Sequence, residues 1–304
     1  MNITATTLET LQQDHQGASL DATARVVLSC MLEPGDVEAG TLVATVGAAA
    51  VVRAILDNHD QTVQDELRTR ARAGFNLGLA AQAFRSAARF GATLVTPEHP
   101  HWPTRMNDLG NQAPFALWVR GDSEILTDTV TTAIVGARAA TGYGEHVTME
   151  IAAGLVERGH SIASGAAYGI DGMAHRAALA SRGRTIAYLA GGVDRFYPSG
   201  HDALLSRIVE HGAVASEMPC GTMPTRWRFL ARNRLIAAGS TAVIITEAGW
   251  RSGALNTAHH AAALGRPVGA VPGPVTSAAS AGCHRLIREQ AATLISTAEE
   301  AAAL

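Results

Sequence analysis

The segment TAIVGARAATGYGEHVTMEIAAGLVERGHSIAS, residues 132–164, decides the fold class. It begins with a short apolar strand, TAIVG, continues through a glycine-containing loop into an amphipathic helix, and ends with a second apolar strand, HSIAS. Both strands are apolar without alternation, which is typical of strands covered on both faces of a sheet. The segment therefore predicts a β-α-β unit of a parallel sheet.

The same alternation of strand and helix continues towards the end of the chain. Further apolar strands are predicted in TIAYLAGG, GAVASE, TAVIITE, RPVGAVPG and ATLIS, with Ala-rich amphipathic helices between several of them. This pattern predicts an α/β protein with a Rossmann-like, doubly wound, mostly parallel sheet. Ligands of such sheets bind at the carboxyl ends of the strands, so the candidate site lies in the loops there.

The first part of the chain has a different pattern. Apolar residues recur near a helical period in three segments, 22–32, 48–57 and 61–75. They predict a small all-α domain over residues 1–80, followed by an extended Rossmann-like domain over residues 81–304. Residues 91–130 add two short predicted strands, ATLVT and FALWVRG, on either side of a Pro-rich segment that cannot be helical.

Composition restricts the possible functions. All 24 basic residues are arginines, which excludes Schiff-base chemistry, a pyridoxal phosphate anchor and a P-loop lysine. No apolar run approaches the roughly 20 residues of a membrane span, and the start of the chain shows no signal peptide. The three cysteines are far apart and form no CxxC pair, which fits a reducing cytoplasm. We therefore expect a cytoplasmic protein with no membrane segment.

Charge is distributed unevenly along the chain. Residues 1–80 hold 10 acidic residues against 5 arginines, a net charge of −5, while residues 81–304 hold 17 against 19, a net charge of +2. The segment PTRWRFLARNRLIAAGS, residues 224–240, carries four arginines, two aromatic residues and no acid. Arginines interleaved with aromatic rings suit single-stranded nucleic acid, because cations meet the phosphates while rings stack on bases. The alternative is an aromatic pair that closes the core beside a solvated run of charge.

Other candidate residues follow the predicted strands. Arg138, in the loop after the first parallel strand, is a candidate phosphate ligand; that loop lacks GxGxxG, so no dinucleotide cofactor is expected. Asp171 is expected either to cap a helix or to contact a ligand, and His175 either to be packed or to cap. Asp194 with Tyr197 is expected to order a turn. At least one arginine of the basic segment is expected to be structural, paired with a carboxylate such as Glu247. His259 and His260 are adjacent and point to different faces of a helix, so no metal site is expected.

Several segments follow one another in the order and spacing of the DNA-processing protein A family, DprA or Smf, which the chain resembles over about residues 90–296. They are IVGARAATGYG, SGAAYGIDGMAH, GGVDRFYP, SEMPCGTMP, RFLARNRLIAAGS, EAGWRSGALNTA and VPGPVTSAASAGCHRLI. Residues 1–75 resemble more weakly the family's variable SAM-like or helix-hairpin-helix domain. We expect no counterpart of the C-terminal winged helix that is frequent in the family.

The resemblance implies a DNA-binding protein that is not an enzyme and needs no cofactor. It implies binding and protection of incoming single-stranded DNA, a homodimer formed through the Rossmann-like domain, and loading of the RecA recombinase in natural transformation and homologous recombination. Arg138 matches the family's phosphate-binding arginine, and Arg251 stands where lysine is usual. The predicted DNA-binding residues are Arg138, Ser164, Gly165, Arg226, Arg228, Phe229, Arg232, Arg234, Arg251, Ser252 and Gly253.

The sequence also departs from the family pattern. Leu230 stands where proline is common, and Asn256 where an apolar or hydroxyl residue is usual. His284 and Gln290 replace Asn and Gly in the segment associated with dimer packing. These two departures leave the dimer geometry open.

Two other functions stay open at this point. One is a phosphoribohydrolase-like enzyme of the same Rossmann subgroup, in which Glu247 would match the catalytic glutamate, although the PGGxGT motif of those enzymes is missing. The other is a nucleotide sensor with a pocket between Arg138 and Gly165.

Overall fold

The computed structural model describes residues 6–14, 18–57 and 60–304. The remaining positions of the predicted helical domain, 1–5, 15–17 and 58–59, lie outside the described residues, as does part of the segment inspected for a signal peptide. Among the described helices, none alone is long and apolar enough to cross a membrane; only the pair Val37–Val46 and Ala48–Leu56, bent by 116°, reaches that length and composition together.

Helices form the first part of the chain. Their bounds are α1 Thr6–Asp14, α2 Leu20–Met31, α3 Val37–Val46, α4 Ala48–Leu56, α5 Asp65–Ala73 and α6 Leu77–Phe90. The three helices predicted from periodicity correspond to α2, α4 and α5. Side-chain caps begin α2, α3 and α6, because Ser19 accepts from the Ala22 amide, Asp36 from the Ala39 amide and Asn76 from the Gly78 amide.

The core of these helices is continuous with one end of the sheet. Val26, Leu28 and Ile55 are buried in the same cluster as Trp118 and Leu205, which belong to the following part of the chain. Helix α6 runs across position 80, where the predicted domain boundary lies. The division into two domains stays a prediction.

Within the described residues, nine strands form a single sheet. They are β1 Ala92–Val95, β2 Leu117–Gly121, β3 Thr131–Val135, β4 Ser161–Ser164, β5 Thr185–Tyr188, β6 Ala213–Ser216, β7 Ala242–Ile245, β8 Val268–Ala270 and β9 Thr293–Leu294. Their order is β1-β2-β6-β5-β4-β3-β7-β8-β9. Strands β3 to β9 pair in parallel, whereas β2 is antiparallel to both β1 and β6.

The other helices cover the two faces of the sheet. They are α7 Gly142–Glu157, α8 Ile170–Ala180, α9 Asp202–His211, α10 Arg226–Ala238, α11 Ala254–Ala263, α12 Ala281–Arg288 and α13 Ala298–Ala302, with 3-10 segments at Thr104–Gln112, Ser123–Thr127, Ser199–His201 and Ala278–Ser280. In β3, Ile134 packs in the core that includes α7 and α8, while Val135 faces α10 and α11. Because both faces are covered, the strands are apolar throughout, and the predicted doubly wound fold is confirmed.

The sheet has a switch point between β3 and β7. From β3 the chain adds β4, β5 and β6 on one side, then returns to place β7 and β8 on the other. Val135 and Ile245 are paired at the carboxyl ends of these two strands. The loops that follow them run to opposite faces of the sheet, which opens a crevice where ligands of such folds bind.

Candidate nucleic-acid interface

Arg138, Phe229 and Arg232 form one cluster at the switch point. The Arg138 Cζ atom lies 5.2 Å from the Phe229 ring centroid, and the Arg232 Cζ atom lies 5.8 Å from it. Arg138 comes from the loop after β3 and is exposed, whereas Phe229 and Arg232 come from the first two turns of α10. Cations at this distance from an aromatic ring are attracted to its face, so the three side chains hold one another in place.

A crevice of about 560 Å³ opens beside this cluster. Its walls are the loops after β3 and β7, the exposed side of α10 and the start of α11. The predicted residues that line it are Arg138, Phe229, Arg232, Arg251, Ser252 and Gly253. The structure therefore gathers residues from separate parts of the sequence into one cationic surface that carries an aromatic ring.

Arg232 is a fixed cation at the back of this crevice. Its Nη1 donates 2.8 Å to the Gly165 carbonyl and also to the Tyr188 carbonyl, at the ends of two neighbouring strands. Burial lowers the pKa of Arg232 to about 10; the charge of Arg138 acts in the same direction and that of Asp171 opposes it. The guanidinium therefore stays charged at neutral pH while only 5% of the residue is exposed.

Ser164 and Gly165 lie behind Arg232. The Ser164 hydroxyl is buried and donates 2.6 Å to the Ile134 carbonyl. A Cβ atom at Gly165 would lie 2.5 Å from the Arg232 Nη2. Direct contact of these two residues with DNA stays a prediction, and their buried placement favours a supporting role for Arg232.

Asp171 orders the loop after β4. Its carboxylate accepts from the Gly165 and Ala167 amides at 3.2 and 3.4 Å. Asp171 lies in the first turn of α8, but the N-cap residue is Gly169, so its contacts are with the preceding loop. Burial raises the pKa of Asp171, although the charge of Arg232 works against that effect.

Arg234 is buried away from the crevice. Its two terminal nitrogens donate to both Glu217 oxygens at 2.8 and 2.6 Å. Glu217, and not Glu247, is therefore the carboxylate partner of a structural arginine, and the expectation for Glu247 is wrong. The Glu247 carboxylate accepts instead from the Thr141 amide at 2.8 Å and the Thr141 hydroxyl at 2.6 Å. This pair fixes the start of α7 beside the crevice.

The remaining arginines predicted to bind DNA differ in exposure and in whether their guanidinium groups already form hydrogen bonds. Arg226 is exposed on the first turn of α10, and Arg251 is exposed after β7. Arg228 is half-buried, because its guanidinium donates to both oxygens of Glu33 and to the Met223 carbonyl. Beside Arg251, the Ser252 hydroxyl accepts from the Ala254 amide at 3.3 Å, at the beginning of α11.

A model of the DNA recombination-mediator protein A family matches residues 93–304. The chain belongs to this family.

Sequence similarity to two DNA processing proteins supports the assignment of the chain to this family. A Mycobacterium tuberculosis protein provisionally named DNA processing protein DprA is 46% identical over 297 residues, covering 92% of this chain and 75% of its own. The Bacillus subtilis DNA processing protein DprA is 35% identical over 218 residues, 72% of each chain.

Two solved structures share the fold. The DNA processing protein A of Streptococcus pneumoniae superposes with a TM-score of 0.76 at 28% identity, covering 92% of this chain and 95% of that one. The protein of Helicobacter pylori, described for its single-stranded DNA binding mode, gives a TM-score of 0.64 at 29% identity, covering 71% of this chain and 96% of that one. These matches confirm the resemblance on which the sequence interpretation rests.

Tyr197 is a neighbour of the site that the sequence did not indicate. Its ring centroid lies 5.5 Å from that of Phe229, and 49% of the residue is exposed. Tyr197 and Asp194 are predicted to order a turn, and Asp194 does accept from the Gly221 amide at 2.8 Å. The signal for Tyr197 was its position in the loop after β5, at the carboxyl edge of the sheet.

The structure shows the contacts and backbone conformation at the four positions that depart from the family pattern. Leu230 is exposed and lines the crevice, and Asn256 accepts 3.1 Å from the Asn233 side-chain amide. The His284 Nε2 atom lies 3.0 Å from the Gly273 carbonyl oxygen, and Gln290 has a φ of +56°.

Within the described part of the chain, no group of three or more His, Cys, Asp or Glu residues is placed to hold a metal ion.

Proposed function

We propose that the chain binds single-stranded DNA across the crevice between β3 and β7. The observation that carries this proposal is the cluster of Arg138, Phe229 and Arg232 at the switch point. Cations at such a site meet phosphates, and an aromatic ring stacks on bases of any sequence. The binding is therefore expected to depend little on base sequence.

The free arginines around the crevice support an electrostatic mode of binding. Arg138, Arg226 and Arg251 are exposed, and none of them forms an ion pair with any residue in the described ranges. Neutralising phosphates releases counterions, so affinity falls steeply as salt rises. A protein with a net charge of −3 thus retains a local surface suited to a polyanion.

Family membership supports the biological role. We propose that the bound strand is protected in the cytoplasm and passed to RecA in transformation and recombination, by a homodimer formed through a Rossmann-like domain at 81–304. The Helicobacter pylori relative, described for its single-stranded DNA binding mode, supports the ligand class. Light scattering with and without oligo-dT tests the dimer, and the rate of RecA filament growth on DNA coated with single-stranded DNA-binding protein tests the loading.

A direct test of DNA binding uses Arg138→Ala. Fluorescence polarisation of labelled oligo-dT should show weaker binding and a salt slope reduced by about 0.7, the value for one lost phosphate contact on a single strand. Arg158→Ala is the matched control, because Arg158 is exposed and follows the far end of α7, where it donates to the Gly154 carbonyl. Equal affinity of the two variants, or a flat salt response of the unmodified protein, contradicts the proposal.

The geometry disfavours the phosphoribohydrolase-like alternative. Glu247 is 2% exposed, and both of its oxygens accept hydrogen bonds from Thr141, so the carboxylate is not free to act on a substrate. We therefore propose no catalytic role for the site. Release of free base from AMP by the purified protein would argue for the enzyme, and a thermal shift with mononucleotides alone would argue for the sensor.

A further inference from the structure

The guanidinium of Arg228 is occupied by a carboxylate from the N-terminal helices. Arg228 Nε donates 3.0 Å to one oxygen of Glu33, and Nη2 donates 2.8 Å to the other. This two-bond geometry is the one in which arginine also binds a phosphate. Glu33 therefore occupies two of the nitrogens through which Arg228 could bind a phosphate.

The two partners belong to different parts of the chain. Glu33 follows α2, whereas Arg228 lies in the first turn of α10, one residue before Phe229. The first turn of α10 contains no acid of its own, and the N-terminus of a helix attracts anions. Glu33 thus supplies a negative charge that this basic segment lacks.

The contact can be exchanged for another anion. The side chain of Glu33 is 57% exposed and that of Arg228 is 19% exposed, so an anion from solution can reach the pair. Exposed ion pairs contribute little to stability and weaken as salt rises. A cavity of about 420 Å³ lies beside the pair, lined in part by Leu79, Met218 and Met223. Packing between the N-terminal helices and α10 is therefore incomplete at this point.

A close approach of the backbone holds Glu33 over α10. Gly35 has a φ of +76°, and a Cβ atom there would lie 3.2 Å from the Nε of Arg234. The loop after α2 therefore crosses α10 near Arg234 while Glu33 contacts Arg228. Glu33 and Arg228 line the neighbouring cavity and not the crevice at Arg138, but Arg228 is adjacent in α10 to Phe229, which lines that crevice.

We propose that Glu33 is an internal competitor of DNA phosphate at Arg228, so that the N-terminal helices restrain binding of single-stranded DNA. This inference rests on the proposed function. A strand that reaches Arg228 displaces the carboxylate and loosens the contact between the loop after α2 and α10. The acidic character of residues 1–80, with a net charge of −5 from 10 acids and 5 arginines, then serves to lower affinity.

The test is a double-mutant cycle measured by polarisation of labelled oligo-dT. Glu33→Gln should bind about 2- to 5-fold more tightly, which corresponds to the strength of an exposed ion pair. Its salt slope should stay close to that of the unmodified protein, because the contact between Arg228 and a phosphate forms in both proteins once Glu33 is displaced. In the Arg228→Ala background the same change should have no effect.

Glu38→Gln is the matched control, since it removes the same charge from the same region while Glu38 pairs with Arg70 at 3.3 Å. The inference is overturned if Glu33→Gln and Glu38→Gln have equal affinity, or if Glu33→Gln still tightens binding without Arg228. If binding of oligo-dT depends on Arg138 but not on Glu33, only this inference fails. If no variant binds oligo-dT, the proposed function fails with it.

Hydrogen exchange gives a second readout. On addition of oligo-dT, the backbone amides of Glu33 and Gly35 should exchange faster, while those of the segment around Phe229 should be protected. Unchanged or slower exchange at these two amides in the DNA-bound protein contradicts the displacement of Glu33.

Discussion

Arg232 Nη1 and the Gly165 carbonyl are joined by a hydrogen bond of 2.8 Å, and the glycine has no room for a side chain. This bond ties α10 to the loop after β4. It holds a buried cation at the crevice, where Phe229 covers it on the outer side. The position of the proposed DNA site thus depends on a residue that does not line the crevice.

Gly165→Ala should displace Arg232, because the added Cβ atom would lie 2.5 Å from Nη2. Overpacking of this kind costs about 1–3 kcal/mol of unfolding free energy. We expect this loss in urea denaturation, together with weaker binding of oligo-dT. Gly142→Ala is the control, since nothing lies within 4 Å of a Cβ atom there. Equal stability of the two variants would show that Arg232 can move without cost.

Glu217→Ala should destabilise the protein by about 3–5 kcal/mol, because it leaves Arg234 buried without its carboxylate. The two side chains are 4% and 8% exposed. Chemical denaturation measures the effect. The comparison variant is Glu33→Ala, which breaks an exposed pair with Arg228 and should cost at most about 1 kcal/mol. Similar losses for both variants would contradict the assignment of Arg234 as a structural residue.

Phe229→Ala should weaken oligo-dT binding by about 1–3 kcal/mol, the contribution of one stacked base. Phe229→Trp should retain most of the affinity, since a larger ring still stacks. Phe90→Ala is a control on another surface, where the Phe90 ring contacts Arg89 and Arg120. Polarisation titrations at one salt concentration compare all three. Unchanged binding by Phe229→Ala would remove the base-stacking part of the proposal.

His175 should make the protein less stable in acid. Burial lowers the pKa of His175 from 6.5 to about 3, and the charges of His201, Arg232 and Arg176 act in the same direction. Between these two values the unfolded chain binds the extra proton, so the free energy of unfolding falls as pH falls, by up to about 1.4 kcal/mol per pH unit.

Urea denaturation at several values between pH 4 and pH 7 tests this effect against His175→Gln. The variant should lack this share of the pH slope. The raised pKa of Asp171 acts in the opposite direction, but it is present in both proteins and cancels in the comparison. Parallel pH profiles would contradict the prediction.

The strand pattern allowed the sheet to be predicted because each parallel strand is buried on both faces. All of the strands predicted from TAIVG to ATLIS are present, and the crevice proposed to bind DNA lies among the loops that follow them. Helices α1, α3 and α6 were not singled out. Their stability comes in part from packing against neighbouring helices and the sheet, which a local pattern does not record.

The arginines of the basic segment also show what a local sequence pattern cannot predict. Arg228, Arg232 and Arg234 lie within one short segment, and sequence spacing alone places each of them in a basic helix. In the structure Arg228 forms an ion pair with Glu33, and Arg234 is buried in an ion pair with Glu217. Arg232 supports the crevice through its hydrogen bond to Gly165. Those partners are distant in the sequence, so no local pattern could have separated the three roles.

The sequence by itself determined the doubly wound sheet, because the pattern of apolar residues along the chain is a local property. The run of arginines and aromatic residues in 224–240 is local too, and it predicted the polyanionic ligand on which the proposed function rests. Only the tertiary structure decided which cations are free. Charge becomes available or neutralised through contacts between distant segments, such as Glu33 with Arg228 and Gly165 with Arg232. These contacts depend on how the loops and helices meet at the end of the sheet.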